Sequence, residues 1–126
     1  MNTTYYTNDL ILQVWEKGTV VSGFDPKEFR KDVCGAWMCF SKYGVRADDK
    51  GWEIDHVYPK AKMKPEKNAD ILLNLRPMQW ENGVSKKDDF PEYRAVVTAQ
   101  GTENIREEKL FIVNEETRLS LLKYYE

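Results

Sequence analysis

The most constraining feature of this 126-residue chain is the alternation of large apolar and polar residues at positions 52–58. A period of two predicts a β-strand, with Glu53 and Asp55 on its solvent-facing side. His56, the single histidine of the chain, directly follows a carboxylate in this run. Pro59 is expected to end the strand. The pattern therefore predicts a strand that carries an acid and a base side by side.

Two further elements follow this strand. Residues 71–75 form a short apolar run that Pro77 is expected to close, and residues 80–87 have helical composition apart from Gly83. A strand, a loop, a second strand and a helix can bring both ends of the 51–88 segment around one ion. We therefore expect the functional site to lie within residues 51–88.

The rest of the chain predicts an α+β protein with a single domain over 1–126. Residues 1–7 are expected to fray, and residues 9–50 form a lead-in to the central segment. The lead-in contains a helix over 9–17 that ends at Gly18, a short helix over 26–32 capped by Asp25, and a buried segment over 34–40. The C-terminal extension, residues 93–126, shows no motif. It is predicted to hold strands at 93–98 and 110–113, a loop at 99–108 and a helix capped by Asn114.

Net charge and hydropathy indicate which partners and which location to expect for this chain. The chain has 19 Lys and Arg against 21 Asp and Glu, so it lacks the basic balance typical of nucleic-acid-binding proteins. Contact with nucleic acid would depend on a local cluster, for which a solvated lysine-rich loop is the alternative. The cluster comprises Lys60, Lys62, Lys64, Lys67, Arg76, Lys86 and Lys87. With no signal peptide and no apolar run of about 20 residues, we expect a soluble, cytoplasmic protein without membrane contact.

The two cysteines and the tryptophans favour structural roles. Structural zinc requires four Cys or His ligands, and beside Cys34 and Cys39 there is no second cysteine pair, so no structural zinc is expected. Two small buried thiols are favoured over a disulfide, which remains open. Three tryptophans are expected in the core and not as base-stacking platforms: Trp37, Trp52 and Trp80.

The central segment suits metal-assisted cleavage of a phosphodiester. The reaction requires deprotonation of a water, neutralisation of charge on the phosphate and stabilisation of the leaving oxygen. A neutral imidazole at His56 is a suitable base at neutral pH. The carboxylate of Asp55 can hold one hard divalent cation, with water and phosphate oxygens completing its coordination.

These residues resemble the HNH endonuclease family, which has the ββα-metal fold. The resemblance rests on Asp55-His56, Asn74-Leu75 and the Trp80-Glu81-Asn82 sequence that is followed by Lys86. It covers residues 51–88, and the phrase at 30–37 with Tyr43-Gly44 is similar to the lead-in of a bacterial and phage subgroup. The resemblance implies an α+β fold with a ββα-metal unit, flanking helices and a C-terminal strand pair plus helix.

Roles follow from the resemblance residue by residue. It implies catalytic roles for His56 as general base, for Asn74 as the brace that orients the histidine, and for Lys86 near the phosphate. Asp55 is the implied ligand of one Mg²⁺ or Mn²⁺ ion. Accessory or nucleic-acid-binding positions are Glu53, Lys60, Arg76 and Lys87. The alternative for Arg76 is a pair with a local carboxylate such as Asp70, and the alternative for Lys86 is a solvated helix residue.

The third catalytic position departs from the family. Counting nine residues from Asn74 or three back from Lys86 leads to position 83, where the family has His or Asn and this chain has Gly83. Asn82 is adjacent, but on a helix one residue corresponds to a rotation of about 100°.

Three interpretations follow. In the first, Asn82 reaches the cation through a local shift, or Asp55 and His56 suffice to hold it. The chain is then an endonuclease that acts on nucleic acid, with DNA favoured. In the alternative, the fold is kept without cleavage and the domain binds nucleic acid or a protein partner. A coincidental motif in a structural domain is the third interpretation, and oligomeric state stays open.

Overall fold

The structure, a computed structural model, describes residues 5–126. Within that range the chain is a mixed α+β protein with three α-helices and three antiparallel two-stranded sheets. The elements are α1 (Asn8–Trp15), β1 (Phe29–Lys31), β2 (Trp37–Cys39), β3 (Trp52–His56), β4 (Leu75–Gln79), α2 (Trp80–Lys86), β5 (Glu92–Gln100), β6 (Glu103–Ile112) and α3 (Glu115–Tyr125). The predicted α+β class is confirmed.

The central hairpin and the helix after it position the site. In the antiparallel pair of β3 and β4, Asp55 lies opposite Arg76 and His56 lies opposite Leu75. Gln79, the last residue of β4, caps α2 with its side chain, which accepts hydrogen bonds from the backbone of Glu81 and Asn82. The turn from strand to helix is therefore immediate, and α2 packs back on the hairpin.

Two apolar clusters flank this hairpin. One cluster contains Trp15 of α1 and Trp52 of β3, whose ring centroids lie 5.1 Å apart, together with Val14, Met38 and Leu75. The other cluster joins the end of the hairpin to β5 and α3 through Tyr58, Met78, Tyr93, Leu121 and Tyr125. Because both clusters are buried, they hold the hairpin between the lead-in and the C-terminal extension.

Gly51, which precedes β3, is required by close packing. A Cβ at this position would lie 1.9 Å from the carbonyl oxygen of Val45, a distance that no side chain tolerates. The chain at residues 45–50 therefore passes directly against the start of β3.

Several sequence expectations are wrong in the lead-in. The predicted helix at 26–32 is absent, because Phe29–Lys31 pairs with Trp37–Cys39 as a strand. Asp25 does accept a hydrogen bond from the backbone of Lys27, but this closes only a turn. Asp32 is buried instead. Its carboxylate accepts hydrogen bonds from the backbone N–H groups of Cys34, Ala36 and Gln79 and from the side-chain amide of Asn82.

Other differences concern strand ends and termini. Pro77 lies inside β4, opposite Ile54, and does not close it. A two-stranded sheet tolerates proline because one edge of each strand needs no N–H donor.

The predicted loop at 99–108 is mostly strand, with a tight turn at Gly101, where φ is +60°. Of the expected frayed start, residues 1–4 lie outside the described range, whereas Thr7 caps α1. The helices at 9–17 and 80–87 and the Asn114 cap are confirmed within one or two residues.

Candidate functional site

A cleft of about 260 Å³ opens beside β3 and the C-terminal half of α2. Its walls include both members of the Asp55-His56 pair and the glycine of α2, together with charged residues at the rim. The lining residues are Arg46, Glu53, Ile54, Asp55, His56, Pro59, Lys60, Met78, Gly83, Val84, Lys87 and Asp88. The tertiary structure therefore brings the predicted acid, base and third position to one cavity.

Asp55 is held between two cations. Its Oδ2 accepts a hydrogen bond from Nε of Arg76 at 2.9 Å, and its Oδ1 lies 3.6 Å from Nζ of Lys86. The side chains of Asp55 and Arg76 are 10% and 13% exposed, and that of Lys86 is fully enclosed. Of the two residues expected on the solvated face of β3, Asp55 is thus largely covered, whereas the Glu53 side chain is 35% exposed. The negative charge of Asp55 is already neutralised by protein groups.

Lys86 points inward and does not face a ligand. Its ammonium donates to the backbone carbonyl of His56 at 3.0 Å, in addition to its pairing with Asp55. Burial lowers the pKa of Lys86, and the carboxylate of Asp55 opposes that shift. Neither sequence interpretation of this lysine is correct, since its amine is not available to a phosphate and is not solvated. Instead it ties α2 to the end of β3.

His56 belongs to a hydrogen-bonded group at the other side of the strand end. Its Nε2 lies 2.8 Å from Oδ1 of Asp70, which also accepts from the hydroxyl of Tyr6 at 2.9 Å. Burial acts to raise the pKa of Asp70, but hydrogen bonds from His56 and Tyr6 outweigh it and hold the pKa below its usual value. An ionised Asp70 accepts, so Nε2 of His56 donates to it, and Nδ1 is the ring nitrogen that this contact does not use.

Asn74 is buried behind the histidine. Its side-chain oxygen accepts from the backbone N–H of Tyr58 at 2.7 Å, and its amide donates to the carbonyls of Tyr58 and Ala69 at 3.1 and 3.0 Å. The residue therefore ties the exit of β3 to the loop that carries Asp70. Asn74 makes no side-chain hydrogen bond to His56 and is not among the residues that line the cleft.

Asn82 and Gly83 occupy opposite sides of α2. The Asn82 amide donates to Asp32 and to the carbonyl of Val97, and its oxygen accepts from the backbone N–H groups of Val96 and Val97. These four hydrogen bonds use both the nitrogen and the oxygen of a fully buried side-chain amide. Asn82 therefore fixes α2 to β5 and is not part of the cleft. Gly83 lines the cleft, and a Cβ built on it would have open space around it.

The remaining predicted residues divide between rim and interior. Glu53 forms a paired salt bridge with Arg46 at 2.7 and 2.9 Å, whereas Lys60 and Lys87 are exposed at the rim. Arg76 pairs with Asp55 and not with Asp70, and its guanidinium lies 5.1 Å from the ring centre of Tyr93. Arg76 is therefore withdrawn from the cleft and does not offer a nucleic-acid contact there.

Sequence reasoning missed three contributors to this site. Asp70 and Tyr6 complete the environment of His56, and Arg46 pairs at the rim. Tyr6 lies 50 residues from His56 in a segment expected to fray. No spacing rule identifies such partners, because their proximity depends on how the lead-in and the 60–70 loop fold over the hairpin.

A divalent cation does not fit the residues as they are arranged. The only carboxylate at the expected ligand position is paired with two cations, and the third position lacks a side chain. No group of three or more His, Cys, Asp or Glu side chains able to hold a metal occurs within residues 5–126. Mg²⁺ accepts a water-rich shell but still requires a free carboxylate.

Tryptophan and cysteine positions agree in large part with expectation. Trp37 and Trp52 are buried, while Trp80 is partly exposed and lies 5.7 Å from the Arg46 guanidinium. Both cysteines are free thiols, of which Cys34 is buried and Cys39 is partly exposed. The expectation of two buried thiols is thus confirmed for Cys34 alone.

Comparison with models of known protein families, with curated proteins and with solved structures found no match for this chain. Over residues 5–126, no helix has the length and apolar character needed to cross a membrane.

Proposed function

We propose that this chain is a nucleic-acid-binding domain of HNH type that has kept the strand–strand–helix arrangement without the cation centre. The observation that carries the proposal is the position of Gly83. The motif spacing assigns the missing ligand to residue 83, and this residue independently lines the same cleft as Asp55 and His56. A coincidental motif has no reason to place all three around one cavity.

The charge arrangement supports binding without cleavage. Lys86 and Arg76 supply the positive charge that a cation would supply at Asp55, so the buried carboxylate is stable without a metal. The cleft wall itself holds three cations, Arg46, Lys60 and Lys87, against the acidic Glu53, Asp55 and Asp88. The attraction for a polyanion must therefore come from beyond the cleft.

The loop that follows β3 supplies that attraction. Lys60, Lys62 and Lys64 are exposed and form no ion pair with any group in residues 5–126. Lys60 lies at the rim of the cleft, four residues after His56. Free lysines of this kind bind phosphates as mobile point charges and release condensed counterions.

Fluorescence anisotropy with labelled oligonucleotides in the presence of EDTA tests this proposal. We expect Lys60→Gln/Lys64→Gln to weaken binding and to reduce the slope of log K against log salt by about two. Lys27→Gln/Lys109→Gln removes the same charge from two other exposed sites and is the matched control. Duplex DNA, single-stranded DNA and RNA are compared, since the site itself does not discriminate among them. Absence of binding by the native chain, or an equal effect of both double variants, contradicts the proposal.

A second candidate, an active endonuclease, is favoured by the environment of His56. The contact of Nε2 with an ionised Asp70 leaves Nδ1 free to accept a proton, as a general base requires. The HNH family uses Mg²⁺ or Mn²⁺ for this chemistry, and here the one candidate carboxylate is occupied. Binding and cleavage therefore have to be tested separately.

A plasmid-nicking assay with Mg²⁺ or Mn²⁺ distinguishes the two candidates. We expect no cleavage by the native chain. A gain of cleavage in Gly83→Asn or Gly83→His, whose side chains have room in the cleft, would mean that Asp55 can leave Arg76 and Lys86 to hold a cation. Gly83→Ala controls for the helix itself. Cleavage by the native chain that is lost in His56→Ala would establish the endonuclease instead.

A further inference from the structure

A second cavity, of about 490 Å³, lies against the small sheet of β1 and β2. It is larger than the cleft beside β3, and no residue lines both. The rings of Phe24, Phe29 and Trp37 form its aromatic walls, and its charged groups come mainly from residues 48–50. Cavities of this size, with aromatic walls and a few polar groups, are typical of small-molecule sites.

One buried amide holds the walls of this cavity together. The side-chain oxygen of Asn104 accepts from the backbone N–H of Trp37 at 2.7 Å, and its nitrogen donates to the carbonyls of Trp37 and Asp49 at 3.1 and 2.9 Å. The indole N–H of Trp37 donates to the carbonyl of Gly101 at 2.8 Å, which fixes the turn between β5 and β6. Three segments that are distant in sequence are thus joined, so the fold itself forms the cavity before any ligand binds.

Phe24 is the ring that the cavity offers to a ligand. It is 37% exposed, whereas Trp37 is 2% exposed. The ring centroid of Phe24 lies 4.8 Å from that of Trp37 and 6.4 Å from that of Phe29. An accessible ring that two other rings hold in place is suited to stacking on a flat ligand.

Two loosely paired lysines and two carboxylates complete the lining. Nζ of Lys42 lies 3.8 Å from the carboxylate of Asp48, and Nζ of Lys50 lies 4.0 Å from that of Asp49. Both distances exceed that of a hydrogen bond, and partly exposed pairs of this kind contribute little to stability, so these groups can turn to a ligand. They offer donors and acceptors without net charge, which suits a neutral ring that carries both kinds of group on its edge.

We propose that this cavity binds a nucleobase, which stacks on Phe24 and forms hydrogen bonds through its edge with the lysine and aspartate groups. The loop at 45–50 contributes Arg46 to the cleft and residues 48–50 to this cavity. An unpaired base of a strand held at the cleft is one source of this ligand, and that source rests on the proposed nucleic-acid binding. A free nucleoside is the other source and does not depend on it.

The site is tested by titrating ¹⁵N-labelled protein with adenosine, guanosine, cytidine and uridine and following the indole N–H signal of Trp37. We expect saturable shifts with at least one nucleoside, and binding weaker by about fivefold or more in Phe24→Ala, because a stacking ring is lost. Tyr5→Ala removes an exposed aromatic side chain outside the cavity and should bind like the native chain. Lys60→Gln/Lys64→Gln should also bind nucleosides normally, since a nucleoside carries no phosphate. A failure of the phosphate contacts is thereby separated from a failure of this site.

Cys39 provides an independent readout, because it lines the same cavity and is partly exposed, whereas Cys34 is buried. A saturating nucleoside should slow the alkylation of Cys39 by iodoacetamide. Thr102→Trp keeps the test decisive if Phe24→Ala fails to fold. Thr102 is exposed in the turn between β5 and β6 and lines the cavity, so the larger side chain is expected to fill it and abolish nucleoside binding.

Shifts that do not saturate with any nucleoside overturn the site, and so does binding that persists unchanged in Thr102→Trp. If N-acetyltryptophanamide binds and no nucleoside does, the cavity takes an aromatic side chain of a protein, and the nucleobase assignment is wrong. Once nucleoside binding is established, its displacement by a short single-stranded oligonucleotide at lower concentration identifies a strand as the source of the base. Absence of displacement identifies the free nucleoside.

Discussion

Nε of Arg76 lies 2.9 Å from Oδ2 of Asp55, directly across the β3–β4 register. Lys86 approaches the other oxygen of the same carboxylate from α2. The residue that the motif marks as a metal ligand is thus the centre of a buried charge cluster. This cluster joins both strands of the hairpin to the helix, so groups of the protein itself compensate the charge of Asp55.

Removal of Asp55 should be costly to stability. Asp55→Ala leaves two enclosed cations without their shared partner, and we expect the free energy of unfolding to fall by about 3 to 5 kcal/mol. Urea denaturation followed by tryptophan fluorescence measures the change. Asp88→Ala, an exposed acid on the same cleft, should change stability by less than about 0.5 kcal/mol. Similar effects of the two variants would show that the charge cluster does not organise the hairpin.

The adjacent residues Asn82 and Gly83 should respond in opposite directions. Asn82→Ala leaves the backbone N–H groups of Val96 and Val97 without acceptors and should lower stability by about 3 kcal/mol. Gly83→Ala should raise stability by about 0.5 to 1 kcal/mol, because alanine favours the helix and its Cβ meets open space. Chemical denaturation of both variants gives the comparison. A loss of stability in Gly83→Ala would mean that this side of α2 is closed.

Asp70 should make the stability of the protein depend on acid pH. Its folded-state pKa lies below the unfolded value of about 4, so its stabilising contribution is present above that value and is lost as pH falls through the lower folded pKa. Urea midpoints measured as pH is lowered through this window should show a steeper decline for the native chain than for Asp70→Asn. Asp88→Asn serves as the control. Parallel pH profiles of native and Asp70→Asn protein would contradict the role given to the contact with His56.

The two thiols should differ in reactivity. Burial raises the pKa of Cys34 to about 12, with the nearby charge of Asp32 adding to the shift, so its thiolate is scarce and enclosed at neutral pH. Cys39 is partly exposed on β2. Ellman's reagent should titrate one thiol quickly in the native protein and the second only with unfolding. Cys39→Ser should remove the fast phase, and a fast phase that survives in Cys39→Ser would place Cys34 at the surface.

Local patterns were sufficient for the central hairpin but not for the lead-in. The alternation before Pro59, the helical composition after β4 and the cap at Asn114 each depend on neighbours in sequence, and the structure has these elements. The helix expected after Asp25 fails because Phe29–Lys31 pairs with a strand eight residues ahead. Strand pairing is a long-range contact that overrides a local capping signal.

The sequence by itself determined the α+β class and the Asp55-His56 pair at a strand end, since periodicity is a property of the chain alone. Only the tertiary structure decided what these residues face. It placed Arg76 and Lys86 on Asp55, turned Asn82 into β5, and brought Tyr6 and Asp70 to His56. The physical reason is that a charge or donor removed from water must pair with a protein group, and tertiary packing decides which group lies within reach. Those partners lie between 14 and 50 residues away along the chain.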